Sequence, residues 1–293
     1  MTNTSTDFIH PNTDVPLHAI REKIEWLRNV NWADLDFRRR YVDKIAKTCF
    51  FLYRQGYSGN HSALPVEKMP VFRCRINGGG GLYESIRQLW YPPAAMVRMN
   101  RANFKGDPVF YGSNQAHIAL AEVQPAFGNL VTLMRLKLTS KMLNIKTIGL
   151  FDVLGETTNC DALSGMRAIL EQYMHQEFTK SVGSQDTHNY LVSALLSTLI
   201  IQNDFVDGIA YKSVAAEHSG INFALKPSYI DSQGVVDMAR VVEITEYCAP
   251  LDFEFTCRYA ARRPLANDKL EWEAVKSCGG HRVSQEEARC DAI

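Results

Sequence analysis

The feature of this chain that most restricts its fold is how its period-two stretches bunch together, with helix-period stretches between the bunches rather than after every strand. Residues 70–76, PVFRCRI, set Val71, Arg73 and Arg75 against Phe72, Cys74 and Ile76, the alternation of a half-buried strand. DPVFYGS (107–113), NLVTLMRLKLT (129–139), IKTIGLFDV (145–153), DGIAYKS (207–213) and INFALKP (221–227) read as further strands, as do RVVEITEYC (240–248) and FEFTCRYAARR (253–263). Helical spacing marks PLHAIREKIEWLRNV (16–30), DFRRRYVDKIAKTCFFLYRQG (36–56), NQAHIALAEVQP (114–125), DALSGMRAILEQYMHQEF (161–178) and HNYLVSALLSTLIIQ (188–202). A doubly wound parallel sheet needs steadier alternation, so the pattern predicts an α+β fold with a mixed or antiparallel sheet, flanking helices and an N-terminal helical extension.

An N-terminal helical extension over 1–69 follows from this reading, beginning with a polar arm and ending in a Pro/Gly/Ser/Asn-rich linker near 56–70. No repeat with a 20–50-residue period is present.

Charge narrows the partners. Lys plus Arg equals Asp plus Glu at 32 each, so no global field draws the chain to nucleic acid or an anionic membrane. Arg38, Arg39 and Arg40 are interleaved with Asp34, Asp36 and Asp43 and read as a solvated helix face. The longest apolar run, YLVSALLSTLII (190–201), falls short of the roughly twenty residues that span a bilayer. Seven cysteines without a C-x-x-C pair, and a start lacking the pattern of a signal peptide, predict a reducing, cytoplasmic setting. The eight histidines form no H-E-x-x-H and no zinc spacing with cysteine, so no metal is expected.

Two stretches hold candidate chemistry. NGGGGLYESIRQLWYPP (77–93) puts glycines between a strand and a helix, but it fits neither G-x-x-x-x-G-K-S/T nor G-x-G-x-x-G and reads as a loop. RANFKGDPVFYGSNQAHIALAE (101–122) runs from Arg101 through Tyr111 to Glu122. With Ser113 or Asn114 as N-cap, Glu122 falls among apolar neighbours of a short helix, and its carboxylate is expected to point inward. An inward carboxylate needs a cation, donors or a ligand. Two readings stand: a structural Arg101–Glu122 ion pair, and a binding site that uses both groups.

The set FRCRI, LWYPP, RANFKGDPVFYGSNQAHIALAEV, GIAYKS and GINFALKP resembles the RES domain family, over roughly residues 70–230, which implies a core over 70–230 and leaves 231–293 as a C-terminal extension packed on it. The resemblance implies an ADP-ribosyltransferase-like fold that consumes NAD⁺ by splitting the nicotinamide–ribose bond, as a toxin of toxin–antitoxin pairs. NAD⁺ would be substrate, with no cofactor. Position by position it implies Arg101, Tyr111, Glu122 and Ser213 as catalytic residues, and Asn103 as an accessory one. Arg101 would clamp the pyrophosphate, Tyr111 would stack on nicotinamide, Glu122 would stabilise the developing sugar cation, and Ser213 would bond a polar group of the substrate. Arg73 and Arg75 could add phosphate contacts or be exposed sheet residues. An antitoxin-like protein and a second copy of the chain are further possible partners. Transfer of ADP-ribose to a macromolecule, and a catalytically silent scaffold, are the alternatives.

Overall fold

The computed structural model describes residues 15–56, 62–66, 69–150, 162–183, 186–249, 252–262, 268–275 and 281–283. The expected polar arm lies, up to residue 14, outside them. The described helices are α1 (Leu17–Arg28), α2 (Leu35–Gly56), α3 (Ile86–Leu89), α4 (Ala116–Val123), α5 (Ala162–Thr179), α6 (Leu191–Ile201) and α7 (Pro227–Gln233). The strands are β1 (Ser62–Pro65), β2 (Val71–Ile76), β3 (Phe110–Ser113), β4 (Leu130–Leu138), β5 (Met142–Ile148), β6 (Gly208–Lys212), β7 (Ile221–Leu225), β8 (Gly234–Ala249), β9 (Asp252–Ala261), β10 (Trp272–Ala274) and β11 (His281–Val283). The class is α+β, as the bunched strands require.

The chain divides into two compact units, neither of them one continuous segment. The first comprises Met1–Ser62, Val97–Asp107 and Asn144–Ile209, and its described helices α1, α2, α5 and α6 pack on one another. In α1 the 3-4 spacing buries Ile20, Ile24 and Leu27. Tyr173 and Phe178 of α5, both fully buried, and Leu52 of α2 belong to the same unit's interior.

The second unit comprises Ala63–Met96, Pro108–Leu143 and Ala210–Ile293. Its sheet runs β6-β7-β3-β2-β4-β8-β9-β10, with β11 also pairing β9. The pairings of β7 with β3, β3 with β2, β2 with β4, β4 with β8 and β8 with β9 are all antiparallel. Directly opposed residues share a sheet face and successive residues alternate. The pairs Phe72↔Ser113, Cys74↔Leu133, Tyr111↔Ala224 and Ser113↔Asn222 therefore define one face. On that face α4 buries Ile118 and Leu120 against Cys74, Val131 and Leu133. Each fully buried aliphatic contributes about 1.5–3 kcal/mol, which holds a two-turn helix that would be marginal alone.

Three local expectations are corrected. The N-cap of α4 is Gln115, with no side-chain cap bond, because the Ser113 and Asn114 side chains bond to β7 instead. The 56–70 stretch is not linker throughout: β1 forms at Ser62–Pro65. β8 begins six residues before RVVEITEYC, directly after α7, since the whole length of β4 offers it a partner from Leu138↔Gly234 onward. Gly78–Gly80 make an exposed turn with Gly79 and Gly80 left-handed.

Candidate functional site

In the sheet unit, Glu122 lies in the last turn of α4, which Gln124 closes in a left-handed conformation. The helix buries Ala116 through Ala121, yet Glu122 itself is exposed. The expectation of an inward carboxylate is thus met in part: Glu122 is exposed as a residue, while its neighbours Ala121 and Val123 still pack on the core. The carboxylate is nevertheless held. Oε1 accepts from Ser213 Oγ at 2.5 Å and from Asn222 Nδ2 at 2.6 Å, and both donors come from buried residues.

Each donor is positioned by its own element. Asn222 stands in β7 opposite Ser113, whose hydroxyl lies 2.7 Å from Asn222 Oδ1. Beside this pair, Asn114 Oδ1 accepts the Ile221 amide at 3.0 Å, so the β3–α4 corner is fastened to β7 twice. Ser213 ends β6 and opens the turn to β7. Its amide donates to Gly220 O at 2.8 Å, the His218 amide donates to its carbonyl at 2.8 Å, and Ala216 N donates to its hydroxyl at 3.1 Å. Glu217 and His218 in this turn both have positive φ, 48° and 66°. Gly220 lets the turn lie on α4, because a Cβ there would fall on the Ile118 side chain. The close approach that glycine permits brings Ser213 to the end of α4.

Tyr111 is half-buried and shares its sheet face with Ser113 and Asn222. Arg73 and Arg75 lie on the opposite face with Phe110, by the same register. Arg73 Nε donates to Leu89 O at 2.9 Å, its Nη1 donates to Tyr111 O, and its guanidinium stands 5.1 Å from the Phe110 ring centre. Burial, aided by the like charge of Arg75, lowers its pKa to about 9, which still leaves it charged at neutral pH. Arg75 donates to Trp90 O at 3.2 Å. Both arginines thus spend donors on main-chain carbonyls, and neither shares the face of the Glu122 grip.

The LWYPP segment is also accounted for. Trp90 Nε1 and Tyr91 OH donate to the two oxygens of Asp231 on α7, at 2.9 and 2.6 Å, and Trp90 packs edge-on against Phe110.

In the helical unit, Arg101 and Asn103 sit on the Val97–Asp107 segment. Arg101 Nη1 donates to Phe178 O at 2.9 Å and Nη2 to Lys180 O at 2.6 Å, while the guanidinium lies 5.0 Å from the Tyr190 ring centre. It therefore caps carbonyls at the end of α5, where a cation is favoured. Asn103 is buried and donates to Arg98 O and Phe104 O, at 2.8 and 2.7 Å, bracing its own turn.

The structure joins Glu122 and Ser213 directly and sets Tyr111 on the adjoining sheet face. Asn222 and Ser113 complete the group, and the sequence reading had not assigned them to a site. Their signal was present: Asn222 is the one polar residue in the buried strand INFAL. Among the described residues, no cluster of His, Cys, Asp and Glu could hold a metal ion, and no helix is long and apolar enough to cross a membrane.

No match to a curated protein was found. The RES domain matches residues 71–241, more than half of the 293-residue chain, and spans the β2 strand, the Glu122 helix, Ser213 and Asn222; the chain belongs to the RES domain family.

Proposed function

We propose that this chain consumes NAD⁺ by cleaving its nicotinamide–ribose bond, as a glycohydrolase or phosphorylase of toxin-like character. The observation that carries the reading is Glu122: an exposed carboxylate with one oxygen gripped by two buried donors and the other not committed to either. Family membership supports the substrate class.

Cleavage sends the glycosidic electron pair to the ring nitrogen, turning cationic nicotinamide into a neutral leaving group while positive charge grows on C1′ and the ring oxygen of the ribose. A carboxylate already fixed beside that carbon stabilises the transition state more than the ground state, because it need not reorganise as charge develops. Glu122 takes that part. Tyr111 offers a ring for the cationic nicotinamide. Water or phosphate then attacks C1′ and loses a proton, giving ADP-ribose or its 1″-phosphate.

Purified protein incubated with NAD⁺ should release free nicotinamide, with phosphate dependence separating phosphorolysis from hydrolysis. Glu122→Gln should lower release by about 10²-fold or more, in the range seen when a preorganised charge-stabilising group is removed. Wild-type protein that melts cooperatively yet never releases nicotinamide would sink the proposal. ADP-ribose retained on a macromolecule would redirect it to transfer.

A further inference from the structure

The direction of each hydrogen bond around Glu122 can be fixed by elimination, and the result assigns work to Ser113 and Asn222. An ionised carboxylate has no proton to give, so both groups facing Oε1 must donate. Asn222 must therefore present its NH₂, which turns its carbonyl oxygen toward Ser113, and the Ser113 hydroxyl must be the donor across that 2.7 Å contact. Ser213 has one proton, given to Glu122, and its oxygen already accepts from Ala216 N. All three supporting residues are buried: Ser113 is 2%, Asn222 4% and Ser213 0% exposed, so water reaches these bonds only from the exposed side of Glu122.

We infer that Ser113, Asn222 and Ser213 form a one-way positioning relay that locks a single oxygen of Glu122 and directs the other to the substrate. Ser113 acts at two removes. It sets which way the Asn222 amide faces; a reversed amide would put a carbonyl oxygen against the carboxylate. Ser213 on this reading is neither nucleophile nor substrate ligand, because its proton and an acceptor site are committed within the protein. The inference rests on the proposed role of Glu122 and says how that role is prepared.

The relay predicts non-additivity. Ser113→Ala should lower kcat for nicotinamide release by up to about 10²-fold with KM for NAD⁺ little changed, as expected when a catalytic group is misplaced by a fraction of its reach. In an Asn222→Ala background the same substitution should cost nothing further, since its only route to Glu122 has gone. Ser113→Thr, which keeps the hydroxyl, should recover most of the rate. The second measurement is spectroscopic. In ¹⁵N-labelled full-length protein the Asn222 side-chain amide should show one strongly downfield, exchange-protected proton, lost in Ser113→Ala and shifted in Glu122→Gln. Additive kcat losses, or an amide signal indifferent to Ser113, overturn the relay while leaving NAD⁺ consumption intact. If the wild type releases no nicotinamide, the functional reading falls and the amide signal alone decides the relay.

Discussion

Glu122 and Arg101 are the two charged residues the sequence singled out most strongly, and the molecule holds them in opposite ways. The Glu122 carboxylate is gripped by side chains, Ser213 and Asn222, at the end of a helix whose core packing does not depend on it. The Arg101 guanidinium is bound by main-chain carbonyls of Phe178 and Lys180, at the end of α5. A side-chain grip can be dismantled one residue at a time without unfolding its helix. A main-chain cap cannot be removed without exposing or orphaning carbonyls of the element it closes. Variants of Glu122 therefore report chemistry, and variants of Arg101 report stability before anything else.

The largest effect that sharpens this contrast is loss of activity in Glu122→Gln with a melting temperature shifted by no more than about 2 °C, equivalent to roughly 1 kcal/mol in a chain of this size. A melt depressed well beyond that, measured by calorimetry, would erase the distinction. Next comes Arg101→Ala, expected to lower unfolding free energy by about 2 kcal/mol, the scale of charged hydrogen bonds lost from a half-buried site. Arg101→Lys should restore only part of it, because a single ammonium cannot reproduce the planar fork that meets two carbonyls. Denaturant titration checks both, and full rescue by lysine would mean that charge alone matters there.

A similar test applies on the far face of the sheet. Arg73→Lys should destabilise by about 1–3 kcal/mol, since Leu89 O and Tyr111 O are served by one guanidinium. An unchanged denaturation midpoint would show that these bonds contribute little.

The smallest expected effect is a pH slope. His117 is buried in α4, its Nε2 has no hydrogen-bond partner among the described residues, and burial lowers its pKa below the ordinary 6.5. The unfolded chain then takes up the proton first as pH falls, so the stability tied to neutral His117 is fully present above about 6.5 and drains away below it. His117→Leu should flatten that part of the pH–stability curve. Melting temperatures taken at about pH 7.5, 6 and 5 would show it, and parallel curves for the two proteins would contradict it.

Much of this was readable along the chain. The alternation of VFRCRI gave β2, and the 3-4 spacing of Ile20, Ile24 and Leu27 gave α1, because both depend on a local period that packing merely reinforces. The caps were less readable. Ser113 and Asn114 are good N-cap residues by local rule, but each gains more from bonding β7, where the alternative would be a buried polar group left unsatisfied. Arg73 and Arg75 read equally as phosphate contacts or exposed sheet residues, because charge type is visible in sequence while the face each occupies depends on register with β3 and β4.

By itself the sequence determined the class, most of the elements, the family and the identity of Glu122 and Ser213 as residues to watch. The class, the elements and Glu122 rest on periodicities within a few turns of chain, while Ser213 rests on the resemblance to the RES family. The tertiary structure alone decided that Glu122 is exposed yet held, that Asn222 and Ser113 share in holding it, and that Arg101 closes a helix 77 residues downstream. A hydrogen bond requires a few ångströms of proximity and a defined direction. For groups about 100 residues apart, those are set by strand register and by the close packing of the Gly220 turn on α4, neither of which has a local signature.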